Sequence, residues 1–210
     1  AADHAVLIKR VIKGVAQRDG MAATFMAKPY AGKSGSGMHV HFSILDKQGR
    51  NIFAGKDAKG SAALHHAIGG LLAAMADSMA ILAPNANSYR RFRAGSHAPV
   101  KATWGYDNRS VALRVPESDI EATRIEHRVA GADVNSYLVL AVVLVGALDG
   151  LTRKVKPAAP VRGSAAQAQA PALPTSWESA LGLFEKSKLI DRFIVRKYKK
   201  WTRNHKTRNE

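Results

Sequence analysis

A chain of 210 residues, 46% of them hydrophobic and 23% charged, is long enough to bury a sizeable core and short enough to form one domain. It has no cysteine, which excludes a disulfide framework and thiolate metal sites and fits a reducing, cytoplasmic setting. The formal charge of +16 favours an anionic partner; no secretory leader pattern is visible, and no membrane span is expected, since Tyr137 to Leu148 is too short and Leu64 to Leu82 is interrupted by His65, His66 and Asp77.

In chain order, Asp3 is placed to cap a helix running to about Arg18, with Leu7, Val11, Ile12 and Val15 on one face. Ala23 to Ala27 reads as a short strand, and Pro29 to Gly37 as a loop rich in Gly and Ser. From Met38 to Ile44, apolar residues alternate with His39, His41 and Ser43, so the three polar side chains share one face of a strand. After a turn at Asp46 to Gly49, Ser61 caps a helix whose apolar positions run from Leu64 to Leu82. Pro84 to Pro99 reads as a loop, followed by strands at Val100 to Trp104, Val111 to Val115 and Arg124 to Val129 and a long apolar helix at Val134 to Leu148. The stretch from Pro157 to Pro174 has the composition of a mobile linker or surface loop, and Thr175 with Glu178 has capping-box spacing for a last helical region. The organisation expected is a core over 1–155, a Pro/Ala-rich linker or loop over 156–175 and a helical region with a basic tail over 176–210.

The basic residues fall into two groups. The tail from Arg192 to Arg208 would suit a nucleic acid, the weaker expectation here, because the arginines from Arg90 to Arg128 lie among apolar strand-like residues, where a guanidinium fork suits a small phosphate or carboxylate. A missing acidic counterpart is a third source of the imbalance. His39 and His41 present two imidazoles together, and Gly35-Ser36-Gly37 before them lets backbone amides approach a ligand. Arg124, Glu126 and Arg128 alternate in the same way. They make either a salt-bridged stripe or a pocket wall in which the carboxylate holds a hard cation between phosphate- and carboxylate-gripping arginines. Arg109 and Arg114 are either a charged strand edge or ligand contacts.

The stretches ATFMAKP (23–29), GSGMHVHFS (35–43), NSYRRF (87–92), WGYDNRSVALRVP (104–116), RIEHR (124–128) and NSYLVLA (135–141) resemble, in order and spacing, the C-terminal part of the catalytic domain of the glutamine synthetase superfamily. The resemblance implies an α+β fold in which an antiparallel sheet, part of the family's catalytic barrel, carries the ligand residues and helices pack outside it. It implies ATP-dependent ligation of glutamate to an amine through γ-glutamyl phosphate, with Mg2+ or Mn2+. Matched by position, His39 and Glu126 are metal ligands. Arg109 and Arg114 hold the transferring phosphate, with Arg109 nearest to it; His41, Ser43 and Arg124 lie on the nucleotide side; and Gly35, Arg91 and Arg128 form the glutamate site.

Where ammonia-using members carry a glutamate in the flap after NSYRRF, this chain has His97. With the Arg90-Arg91-Phe92 and Trp104-Gly105 forms of the neighbouring motifs, that looks like the γ-glutamylpolyamine synthetase branch, with true glutamine synthetase or a non-catalytic nucleotide-binding relative as alternatives. A lysine expected near the nucleotide is Glu121 here, and no counterpart of the adenylylated tyrosine of some members stands out. Family members begin with a β-grasp domain and carry further metal-binding glutamates ahead of this region. The resemblance thus implies homo-oligomeric stacked rings with shared active sites, and little or no activity for these residues alone.

Overall fold

The computed structural model describes residues 1–93 and 95–195; the expected basic tail lies almost wholly outside the described residues. Four three-residue strands form one sheet: β1 (Val40–Phe42), β2 (Trp104–Tyr106), β3 (Leu113–Val115) and β4 (Ile125–His127), in the order β1-β4-β3-β2. β4 pairs antiparallel with both β1 and β3, whereas β2 and β3 run parallel, so the sheet is mixed rather than wholly antiparallel. Register sets the chemistry, because side chains directly opposite one another share a face. His41, Glu126, Arg114 and Gly105 stand in one row across all four strands, and the next row is Val40, His127, Leu113 and Trp104. One face is therefore polar and the other is core.

The core face packs on α2 (Ala62–Met75) and α4 (Ser136–Arg153), through residues such as Leu64, Ile68, Leu71, Val139, Val142 and Val143. Ser61 caps α2 as its sequence implies, its hydroxyl accepting from the Leu64 amide at 3.2 Å. The two helices cross almost backbone to backbone: a Cβ on Gly70 would lie 2.3 Å from the Gly146 carbonyl oxygen and 2.4 Å from Gly150 Cα. At 18 residues α4 is longer than its uninterrupted apolar run, and it is long and apolar enough to cross a membrane. Its Val139, Val142, Val143 and Ala147 are buried in the common core, which marks it as a core helix.

Several expected elements differ. Ala1, not Asp3, is the N-cap of α1 (Ala2–Arg18); Asp3 sits in the first turn and accepts from the Tyr137 hydroxyl, while Leu7, Val11, Ile12 and Val15 stay exposed. Ala23 to Ala27 forms no strand: Thr24 Oγ1 takes the Met26 amide locally, and the next residue along, Lys28, gives its amide to the Asn87 side chain rather than to a strand. The helix expected through Leu82 breaks after Met75 and resumes as α3 (Met79–Leu82), where Ser78 Oγ back-bonds to Ala74 O at 2.8 Å. Residues 100–102 pair with 171–173 instead of entering the sheet, and β2 starts at Trp104, the last residue of the expected strand. The 157–174 stretch is a tethered surface loop: Trp104 Nε1 donates to Ala158 O at 2.7 Å, and Val161 N to Trp104 O at 2.8 Å. Ser176, one residue after Thr175, caps α5 (Trp177–Lys186), with Ser179 completing the box, and the one-turn α6 (Lys188–Ile190) follows.

Candidate active site

Glu126 is the hub of the polar face. Its side chain is 4% exposed, yet four positively charged or chargeable groups reach it: Arg128 Nη1 at 2.8 Å and His39 Nδ1 at 2.9 Å on Oε1, His41 Nε2 at 3.5 Å on the same oxygen, and Arg114 Nη1 at 3.1 Å on Oε2. Burial alone would raise its pKa, but Arg128, His39, His41 and Arg114 outweigh burial and hold it below the usual carboxylate range. His39 is pushed down by burial and by Arg128, against the pull of Glu126, which favours a neutral imidazole. Arg124 Nε points to His41 Nδ1 at 3.4 Å, bringing a further guanidinium to this end of the face. Ser43, just past β1, is exposed.

Beside the hub lies a cavity of about 490 Å³ lined by Lys28, Lys33, Gly35, Gly37, His39, Arg91, His97 and Arg128, with no acidic side chain in its wall among the described residues. Arg91 is 5% exposed and Arg128 6%, so both cations are built into the structure rather than hung on its surface. Arg91 comes from a 3-10 turn (Ala86–Arg91) and donates from Nη1 to Val129 O at 3.1 Å. Three glycines make room for it: a Cβ on Gly35 would lie 2.9 Å from Arg91 Cγ, one on Gly37 3.0 Å from Nη2, and one on Gly131 3.3 Å from Nη1. Arg128 donates to Glu126 and to Arg109 O, while its Nε is buried without a partner. His97 is exposed at the cavity rim.

Arg109 is the member the structure sets apart. Its backbone is held by Arg128, but its exposed side chain, with no ion-pair partner among the described residues, lines a separate cavity of about 1040 Å³ with Trp104, Tyr106, Lys156 and Arg162. Sequence reasoning missed three contributors. Asp107 pairs with Arg114 from the outer side and takes a left-handed backbone (φ 43°), a conformation Asp tolerates; the Asp-Asn pair closing a strand was the available signal. Lys28 and Lys33 line the carboxylate-free cavity, and nothing in their spacing marked them.

The metal expectation fares differently from the anion one. A hard divalent cation takes about six or more ligands, mostly oxygens. His39 and Glu126 touch one another, both Glu126 oxygens already accept from cations, and no group of three or more His, Asp or Glu suited to a metal occurs among the described residues. These two residues alone do not fit the ion; the arginines do fit phosphate and carboxylate groups.

Comparison with known proteins follows the same line. Residues 1–208 match the family described as glutamine synthetase, catalytic domain. The γ-glutamylputrescine synthetase PuuA of Escherichia coli K12 is 40% identical over 198 residues, which is 94% of this chain and 42% of that protein. A glutamate–isopropylamine ligase of a Pseudomonas species is 41% identical over 90% of this chain and 42% of its own, and a glutamine synthetase of Pyrococcus abyssi 39% over 94% and 46%. A solved structure of GmaS without ligand superposes with a TM-score of 0.82 at 30% identity, over 90% of this chain and 45% of that one. The chain thus spans less than half the length of these relatives.

Proposed function

Since the chain belongs to the glutamine synthetase family, we propose that its protein ligates the γ-carboxylate of glutamate to an amine at the expense of ATP, and that the amine is an organic one. The observation that carries this reading is the cavity with two buried arginines and no acid, set against a face crowded with further cations around Glu126.

Arg91 and Arg128 take the α-carboxylate of glutamate, which leaves the γ-carboxylate directed at the polar face; Gly35 lets the substrate approach the backbone. Arg114, Arg124, His41 and Ser43 hold the ATP phosphates. A γ-carboxylate oxygen attacks the terminal phosphorus, the bond to the bridging oxygen breaks and ADP leaves. Arg109, with no ion pair to break among the described residues, swings to the charge that develops on the transferring group. The amine nitrogen then attacks the acyl carbon, phosphate departs and a proton is lost to a base at the flap, for which His97 is the candidate on the cavity rim. Mg2+ or Mn2+ would supply charge neutralisation on the phosphates, and needs oxygen donors beyond His39 and Glu126.

An imidazole at position 97 in place of an anion holds ammonium poorly, which favours an amine with a carbon chain. Putrescine and isopropylamine, named in two relatives of near-equal identity, are the first to try. The test is glutamate-dependent phosphate release by the whole protein with ATP and each amine. Putrescine or isopropylamine should outperform ammonia, and equal or better use of ammonia would make it a glutamine synthetase instead.

A further inference from the structure

Arg91 reaches its cavity from the end of a short 3-10 turn, and a turn of that kind has few internal hydrogen bonds to keep it in place. External ties must hold it. Asn87 makes one pair of them, accepting the Lys28 amide at 2.8 Å and donating to Lys28 O at 2.9 Å. The other pair converges on one carboxylate oxygen: Asp133 Oδ2 accepts from Asn85 Nδ2 at 2.9 Å and from Ser88 Oγ at 2.6 Å. Ser88 is fully buried, so its hydroxyl has no water to fall back on.

The second oxygen of Asp133 is the odd feature. Oδ1 is buried without a hydrogen-bond partner among the described residues, and it lies 2.3 Å from where a Cβ on Gly131 would be, the same glycine whose Cβ would come within 3.3 Å of Arg91 Nη1. A buried carboxylate oxygen is costly to leave unmade unless a nearby cation offsets it. Arg91 is that cation: it has no ion pair among the described residues, it donates to the neutral Val129 carbonyl, and the charge of Asp133 opposes the burial that weakens its proton affinity. Gly131, having no Cβ, leaves room for both groups to lie near its backbone, and no ion pair joins them among the described residues.

We propose that Asp133 is a positioning residue for Arg91: by holding Asn85 and Ser88 it fixes the turn that carries the guanidinium, so that Arg91 waits in its glycine cradle with donors free for the substrate α-carboxylate. This rests on the assignment of Arg91 to glutamate. A direct Asp133–Arg91 salt bridge would have occupied those donors; the tether orders the arginine while leaving them available.

The experiment is steady-state kinetics of the whole protein. Asp133→Ala should raise KM for glutamate about tenfold or more, while KM for ATP and kcat at saturating glutamate stay within about twofold. Ser88→Ala, which removes one of the two ties, should shift glutamate KM in the same direction by about threefold. Asp133→Asn keeps an oxygen that can accept from both partners and should restore glutamate KM to within about threefold of the parent. An unchanged glutamate KM in Asp133→Ala, or a parallel rise for ATP and glutamate together with a lowered Tm in all three variants, overturns the proposal. Arg91→Lys separates the two levels. If it raises glutamate KM while Asp133→Ala does not, the tether alone fails; if it leaves glutamate KM unmoved, the assignment of Arg91 fails and the tether with it.

Discussion

Glu126 and His127 are neighbours on β4, 3% and 2% exposed, and their ionisation goes opposite ways. Glu126 faces two arginines and two histidines and stays an anion. His127 faces the Leu71, Met75 and Val142 side, its Nδ1 finds no partner, and burial followed by the charge of His39 pushes its pKa down to about 4. Surface exposure is nearly equal, so exposure alone does not decide charge: cationic partners keep Glu126 ionised, while depth without a partner keeps His127 neutral. A single strand can therefore separate a layer in which ions are cheap from one in which they are excluded, one residue apart.

The sharpest way to break that comparison is to remove the anion. Glu126→Ala leaves Arg128 buried without its carboxylate, and should lower the unfolding free energy by roughly 3–5 kcal/mol in urea denaturation; a loss below about 1 kcal/mol would mean the cations find water or other acceptors. Next is Arg109→Ala, which takes from the neighbouring cavity a cation that forms no ion pair among the described residues. Activity of the whole protein should fall at least about a hundredfold, with stability unchanged within about 0.5 kcal/mol.

On the core side, the unfolded chain binds a proton at His127 near pH 6.5 and the folded one only near pH 4, so stability from the neutral imidazole is present above 6.5 and drains away as pH falls towards 4. Between pH 7 and 5 the parent should lose about 2 kcal/mol more than His127→Leu does. Equal pH slopes would show that His127 is already solvated. The smallest effect is expected at a helix end outside the polar face: Ser61→Ala removes the α2 cap and should lower stability by about 1 kcal/mol without moving any KM.

What the sequence disclosed follows from period and range. His39 with His41, and Arg124 with Glu126 and Arg128, were visible as co-facial sets because a strand alternates strictly. That Arg114 and His41 flank Glu126 from opposite sides was not visible, since it depends on the register of β4 against β3 and against β1, the latter lying more than 70 residues earlier in the chain. Arg109 shows the limit of motif reading: its position matched, while its side chain belongs to the neighbouring cavity. Asp133 went unnoticed because its partners Asn85 and Ser88 precede it by more than forty residues. Short elements failed for a related reason. Residues 100–102 have strand composition and do hydrogen-bond in an extended manner, but with 171–173, a partner that no local pattern announces.

The bare crossing of α2 and α4 at Gly70, Gly146 and Gly150 has a bearing on redesign. Where Gly70 meets Gly146 and Gly150 the backbones touch with no side chain between them to absorb a displacement, so the helical layer behaves as a fixed bench under the strands. Enlarging the pocket for a bulkier amine by trimming that layer would tilt the floor and misalign every guanidinium above it. The rim at Ala98, which borders the cavity and carries none of the core, is the part that can be recut.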